Sequence, residues 1–162
     1  MTSGRFWMMA AVLAGAVLGP AVGCGTGGGT PCTTCAPIEG RYPLEFATGT
    51  LPSDCVAGVA LPTGPLDIQR SGNGLTATLD AVPMQGTLYQ STEFNLLGSQ
   101  TLQDGGSSTQ FSISGTYTAG KPDGGLGQIA GSFTGTYTRP TAQGSGRCSI
   151  FRAYTAAQQR QP

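Results

Sequence analysis

The chain of 162 residues contains no histidine. Mechanisms that depend on an imidazole are therefore excluded, including Ser-His-Asp hydrolysis, Cys-His proteolysis and His-ligated zinc. Charged residues are also scarce, because 8 basic and 8 acidic side chains give a formal net charge of zero. Affinity for nucleic acid comes largely from Lys and Arg side chains that neutralise phosphates, so this composition argues against nucleic acid as a partner.

Large side chains are scarce as well. Aromatic residues make up 7% of the chain, and its single tryptophan, Trp7, lies near the N-terminus, whereas 27 residues are glycine. A chain with few large apolar residues is typically disordered when its net charge is high, but the net charge here is zero. Abundant Thr and Ser with regularly placed Gly instead favour short β-strands joined by turns.

The N-terminal segment has the features of an export signal. Arg5 supplies a positive charge, residues 6–18 form an apolar run that only Gly15 interrupts, and Pro20 ends the run. An apolar stretch of about 13 residues is too short for a membrane-spanning helix, which needs about 20. Small residues follow at the positions that a signal peptidase reads. We therefore expect residues 1–23 to be a signal peptide and the protein to be exported.

The end of this segment, Ala21-Val22-Gly23-Cys24, resembles the lipobox of bacterial lipoproteins. The resemblance implies that Cys24 carries a thioether-linked diacylglycerol and further acyl chains such as palmitate, which anchor the protein in a lipid bilayer. Gly25 follows Cys24 where an Asp would retain the protein, so the outer membrane is the expected location. The ordinary secretory peptidase is the alternative and would leave Cys24 unmodified. The odd number of cysteines, five, favours lipidation, because the other four can then pair.

Residues 24–37 are rich in glycine, and we predict that they form a flexible tether. The tether contains Cys32-Thr33-Thr34-Cys35, which has the spacing of redox CxxC motifs. Redox activity needs a helix N-terminus to lower the thiol pKa, and no helical pattern surrounds this motif. A structural disulfide is the preferred interpretation. Zinc is disfavoured because Cys55 and Cys148 lack the CxxC spacing, so we expect no metal and no cofactor.

From residue 38 the chain alternates between apolar and polar positions with a period of two, which is typical of half-buried antiparallel strands. The pattern predicts an all-β domain over residues 38–157, followed by a disordered tail over residues 158–162. Eight strands in sequence order favour a single antiparallel up-and-down barrel, with a β-sandwich as the alternative. The predicted strands are Ile38–Thr48, Pro65–Arg70, Leu75–Val82, Gly86–Gln90, Glu93–Gln100, Phe111–Thr118, Ile129–Thr138 and Arg147–Thr155.

Two further features bear on the barrel. The alternation places Gly115, Gly131 and Gly135 on the inward face, where glycine permits the tight bends that closure requires. The predicted shape is loosely similar to small lipocalin-like β-barrel lipoproteins. Gly40-Arg41-Tyr42 stands where lipocalins have Gly-x-Trp.

The barrel topology also predicts how the cysteines pair. The first strand of a closed meander lies antiparallel to the last, which brings Cys55 and Cys148 to one rim and Cys32 and Cys35 to the other. Strands of about ten residues hold the rims about 30 Å apart, whereas a disulfide needs Cα atoms within about 7 Å. We therefore predict the pairs Cys55–Cys148 and Cys32–Cys35.

Without histidine, the remaining acid–base candidates are the carboxylates. Asp67, Asp80, Glu93 and Asp104 are scattered along the chain, and nothing in the sequence places two of them at the separation that a glycosidase needs. Arg152 alternates with inward residues, so it is either an inward anion ligand or a rim residue. We expect no catalytic residues; a carboxylate-dependent hydrolase of envelope glycan or lipid is the alternative.

The function that these features favour is a monomeric, membrane-anchored, non-enzymatic envelope lipoprotein. Its barrel would bind either a small ligand or an envelope protein. An open interior of about 300 Å³ or more would favour a small ligand. An interior filled by Phe111, Phe133 and Tyr137 would favour a structural or protein-binding role.

Overall fold

A computed structural model describes residues 34–55, 59–103, 106–122, 124–142 and 144–159. The described residues form nine β-strands and no helix. We number the strands in chain order: β1 Gly40–Pro43, β2 Glu45–Phe46, β3 Pro65–Ser71, β4 Gly74–Leu79, β5 Val82–Tyr89, β6 Glu93–Thr101, β7 Ser108–Thr118, β8 Gln128–Thr141 and β9 Gly144–Ala157. The all-β fold class is confirmed.

All nine strands belong to one antiparallel sheet in the order β1-β3-β4-β5-β6-β7-β8-β9-β2. The sheet curls into a nearly closed barrel because β1 and β2 are halves of the single first strand expected from the sequence. The first half pairs with β3, and the second half pairs with β9 through Glu45 and Phe46. The hydrogen bond from Ala47 N to Ala153 O, 2.9 Å long, continues this second pairing. The barrel is confirmed, with nine strands instead of eight because the first strand serves two partners in turn.

One predicted boundary is wrong. The sequence placed strands at Leu75–Val82 and Gly86–Gln90, but β4 ends at Leu79 and β5 begins at Val82. Asp80 and Ala81 form the two-residue turn between them, with φ angles of 46° and 65°. Positive φ at both central residues is the type I′ conformation, whose twist matches a β-hairpin. The turn was missed because it contains none of the usual glycine; the expected Gly72-Asn73 turn is present, with φ 63° at Gly72.

The hydrophobic core occupies the inside of the barrel. Phe133 is fully buried, and its ring centroid lies 5.2 Å from that of Phe46 and 5.3 Å from that of Phe111. Tyr137 contacts Phe111 edge-on, with the ring centroids 6.0 Å apart. Tilted and edge-on pairs at these distances are the favourable geometries for aromatic rings. Phe111, Phe133 and Tyr137 therefore fill the interior of the barrel at this level.

Glycines make room for one of the large rings. Gly115 and Gly131 are cross-strand partners on the inward face, as expected from the alternation. The hydroxyl oxygen of Tyr154 lies only 2.6 Å from where a Cβ of residue 115 would stand, and a Cβ of residue 131 would lie 2.0 Å from Ser114 O. Side chains at these two positions would thus collide with Tyr154 and with the neighbouring strand.

The barrel has two rims. The upper rim carries the turn at Asp80 and the segment that follows β2, whereas the lower rim carries the turn at Gly72 and the start of β1. At the lower rim Gln158 N donates to Gly127 O over 2.7 Å, and Gln159 N donates to Arg41 O over 2.8 Å. The contacts of the barrel therefore extend two residues into the segment expected to be a tail; residues 160–162 lie outside the described residues.

Residues 1–33 also lie outside the described residues. The signal peptide, the lipid on Cys24, most of the tether and the position of Cys32 therefore stay predictions. No helix in the described ranges has the length and apolar character needed to cross a membrane.

Candidate functional site

The upper rim is closed by a segment that we call the cap, residues 47–55 and 59–64. Val59 of the cap is buried against the barrel. Ala60 O accepts a 2.8 Å hydrogen bond from the Tyr137 hydroxyl, which rises from β8. The Asp80 carboxylate accepts bonds from the main-chain nitrogens of Thr63 and Gly64, at 3.0 and 2.7 Å. The cap is thus fixed to β8 and to the β4–β5 turn through its main chain.

A disulfide is the covalent attachment of the cap. Cys55 in the cap bonds to Cys148 in β9, with their Cα atoms 4.9 Å apart and 93 residues between them in sequence number. The predicted pair Cys55–Cys148 at one rim is confirmed. Cys35 is also disulfide-bonded, and its partner lies outside the described residues. Its neighbour Ala36 donates a 2.9 Å bond to Ser91 O, which puts this second bridge at the lower rim.

Disulfides persist in oxidising compartments, because cytosolic thiols are kept reduced. The bridge between Cys55 and Cys148 therefore indicates an oxidising location such as that of an exported protein.

Arg152 lies on the inward face of β9, as its alternation with Cys148, Ile150 and Tyr154 suggested. Its guanidinium donates to Thr50 O in the cap and, over 2.7 Å, to Phe151 O. Its buried Nε makes no hydrogen bond. The head group therefore binds main-chain carbonyls where the cap meets β9, which gives it a structural task at the rim.

The fully buried positions hold almost no groups that could carry out acid–base chemistry. Apart from the tyrosines, the buried polar residues among those described are Ser107 and Thr109. Burial raises the pKa of Tyr137 to about 12, and the nearby Asp80 carboxylate adds to the rise. Burial raises the pKa values of Tyr42 and Tyr154 as well. These phenols stay protonated at neutral pH and serve as hydrogen-bond donors.

The carboxylates have separate structural partners. Asp80 binds the cap, Asp67 stands on the outer face of β3 with its Oδ1 3.8 Å from Arg41 Nε, and Glu39 forms a 2.9 Å ion pair with Arg70. Glu93 begins β6 at the lower rim, and Asp104 lies outside the described residues. No group of three or more Cys, Asp or Glu residues in the described ranges could hold a metal ion.

The outer face of the sheet carries a feature that the sequence did not reveal. One continuous row of cross-strand partners crosses β3 to β9, and we call this row the belt. Its members are Gln69, Thr76, Gln85, Leu97, Ser112, Thr134 and Phe151. None of the seven side chains is charged. Leu97 and Phe151 are 57% and 63% exposed, the largest exposures among the large apolar residues described.

The first half of the belt lies in an open depression of about 500 Å³ on the outside of β3 to β6. Gln69, Thr76, Gln85 and Leu97 all line it. The depression is the concave part of the outer surface at which a molecule could contact several side chains at once. Only the period-two exposure of Leu97 and Phe151 at otherwise polar positions could have pointed to the belt in advance.

The chain matches no protein-family model, and no curated protein or solved structure is significantly similar to it.

Proposed function

We propose that this protein is an exported, membrane-anchored and non-enzymatic lipoprotein that binds its partner on the outside of the barrel. The observation that carries the proposal is the filled interior. Phe111, Phe133 and Tyr137 occupy the place where a lipocalin-like barrel would hold a small ligand, and their rings contact one another. A barrel of about eight strands has an interior just wide enough for such side chains.

The electrostatic groups support a binding role over hydrolysis. Asp80 and Glu39 bind the cap and Arg70, which leaves them engaged in holding the fold. Retaining glycosidases need two carboxyl groups about 5 Å apart, and inverting ones need about 6.5–9.5 Å. The carboxylates described here are instead distributed over the two rims and the outer face.

The anchor of the proposal is Cys24, on the strength of the lipobox-like sequence. A glycine-rich tether of residues 24–37 has a root-mean-square reach of about 20 Å. The tether would enter at the lower rim, where Cys35 and Ala36 lie. The outer face of the barrel would then be accessible above the membrane, with the disulfide-bonded cap pointing away from it.

Fractionation of the envelope tests the anchor. We expect Cys24→Ala to move the protein from the membrane to the soluble fraction, because the acyl chains are lost. Cys35→Ala is the matched control and should stay in the membrane fraction, since it removes a thiol without removing the lipid. Equal membrane retention of both variants would refute the anchor.

A fluorescent apolar dye tests the filled interior. We expect 1-anilinonaphthalene-8-sulfonate to show no rise in emission with the native protein, because no apolar cavity is open to it. Phe133→Ala, which empties the centre of the core, should raise the emission and serves as the positive control. Strong emission with the unaltered native protein would contradict binding on the outside alone.

A further inference from the structure

The belt lies within a wider uncharged part of the outer face. The neighbouring row on one side is Ser71, Gly74, Thr87, Asn95, Ser114, Ser132 and Ala153, and it contains no charged residue. The row on the other side contains one, Asp67, which pairs with Arg41. Charge complementarity with a strongly anionic or cationic partner is therefore absent over three consecutive rows.

The hydrogen-bonding groups of the belt are available to a ligand. In the neighbouring rows, hydroxyls are satisfied by one another: Ser114 with Ser132 at 2.9 Å, and Thr136 with Ser149 at 3.2 Å. Within the described part of the chain, the polar side chains of the belt make no such bonds to protein groups. Hydroxyl and amide side chains both donate and accept, so the belt can bind a partner that itself carries neutral donors and acceptors.

The spacing of the belt suits a linear polymer. Neighbouring strands lie about 4.8 Å apart, so the seven side chains extend over about 29 Å in a direction perpendicular to the strands. Each strand contributes one side chain, and the depression over β3 to β6 would hold the first part of a chain laid along the row.

Two exposed apolar residues interrupt the polar groups. Leu97 ends the depression, and Phe151 ends the belt three strands further on. The face of a sugar ring presents C–H groups while its edge presents hydroxyls. The negative face of an aromatic ring attracts such C–H groups, and the surrounding hydroxyls and amides can bind the ring edges. Protein interfaces, in contrast, are depleted of serine, which is common on this face.

We propose that the belt binds a linear, uncharged polysaccharide, with sugar faces on Leu97 and Phe151 and sugar hydroxyls bonded to Gln69, Gln85 and Thr134. This inference rests on the proposed function, because it requires the binding surface to lie outside the barrel. It adds the chemical class of the partner and the residues that contact it.

An amide NMR titration of the full-length protein tests the proposal, with cellohexaose and chitohexaose as neutral probes and hexagalacturonate as the charged comparison. We expect shifts at belt residues with at least one neutral hexamer and weaker shifts with the charged one. Phe151→Thr and Gln85→Ala should each raise the dissociation constant about three- to tenfold, because each removes one contact. Leu102→Thr, an exposed apolar residue off the belt, should leave the dissociation constant unchanged.

The other outcomes each overturn a defined part. An absence of belt shifts with both neutral hexamers overturns the polysaccharide proposal while leaving the membrane anchor and the filled interior standing. Equal binding of the charged hexamer, or equal affinity of Phe151→Thr and the native protein, overturns it too. Shifts confined to interior residues such as Ile113 and Phe133 would overturn both this inference and the proposed function.

Discussion

Removal of the bridge between Cys55 and Cys148 should cost more stability than any other two-residue change at the rims. The bridge closes a loop of 93 residues, so it restricts most of the unfolded chain. The chain-entropy relation gives about 4.6 kcal/mol for a loop of this length at 25 °C. Single domains are stable by only about 5–15 kcal/mol, so a domain with so few large side chains should become marginal.

Urea denaturation of the double variant Cys55→Ala/Cys148→Ala measures this cost. With a slope of about 2 kcal/mol per molar, the midpoint should fall by about 2 M relative to the native protein. Cys32→Ala/Cys35→Ala is the matched control. The predicted bridge between those residues closes a much shorter loop, for which the same relation gives about 1.7 kcal/mol. Equal midpoints for the two double variants would refute the reasoning from loop length.

Three further predictions follow from the core and the upper rim. Phe133→Ala should lower the free energy of unfolding by about 3–5 kcal/mol in urea denaturation, whereas Phe151→Ala on the outer face should cost less than about 1 kcal/mol; similar costs would argue against the assigned faces. Gly131→Ala should prevent a native fold, seen as lost near-ultraviolet circular dichroism, because its Cβ would lie 2.0 Å from a main-chain oxygen; a native spectrum would contradict this packing. The pKa of Tyr137 is raised to about 12 from about 10 in the unfolded chain, so its contribution is complete below pH 10 and is lost as pH rises to 12. Stability should therefore fall in that window, and Tyr137→Phe should reduce the fall; an unchanged pH profile in the variant would contradict the assignment.

Much of the fold could be predicted because strand periodicity is strong where one face is buried. The inward residues Phe111, Ile113 and Tyr117 of β7 alternate without exception with polar ones, and β8 repeats the pattern. The division of the first strand could not be predicted. It arises because residues 40–46 must pair with β3 on one side and with β9 on the other, and neither pairing is visible in a single segment.

The parts of the rim differ in how far they could be predicted. The pairing of Cys55 with Cys148 follows from topology alone, since the rims lie much too far apart for any other bridge to reach. The partners of Arg152 could not be foreseen, because alternation gives the direction of a side chain but not the main-chain carbonyls that it meets. Thr50 O belongs to a segment without regular structure, whose path depends on the cap as a whole.

The belt was out of reach for a different reason. It is defined by the register of six strand pairs, and an error of one residue in any of them would exchange inward for outward positions. A turn such as Asp80-Ala81, displaced by a few residues in the sequence-based prediction, is enough to lose the row. Local patterns thus predict which residues face outward, but they do not predict which of them become neighbours.

The filled interior and the outer binding surface have a common origin in the composition. A chain with few large apolar residues must use nearly all of them to fill an eight- or nine-stranded barrel, and glycines at positions 115 and 131 let Tyr154 reach across the inside. No apolar lining is then left for an internal ligand cavity. The outward positions consequently fall to Ser, Thr, Asn and Gln, which form ordered rows because the sheet holds them at the spacing of its strands. Leu97 and Phe151 are the exceptions, since burial in the core would have stabilised the fold further. Their exposure on one uncharged row is therefore better explained by a partner than by the fold.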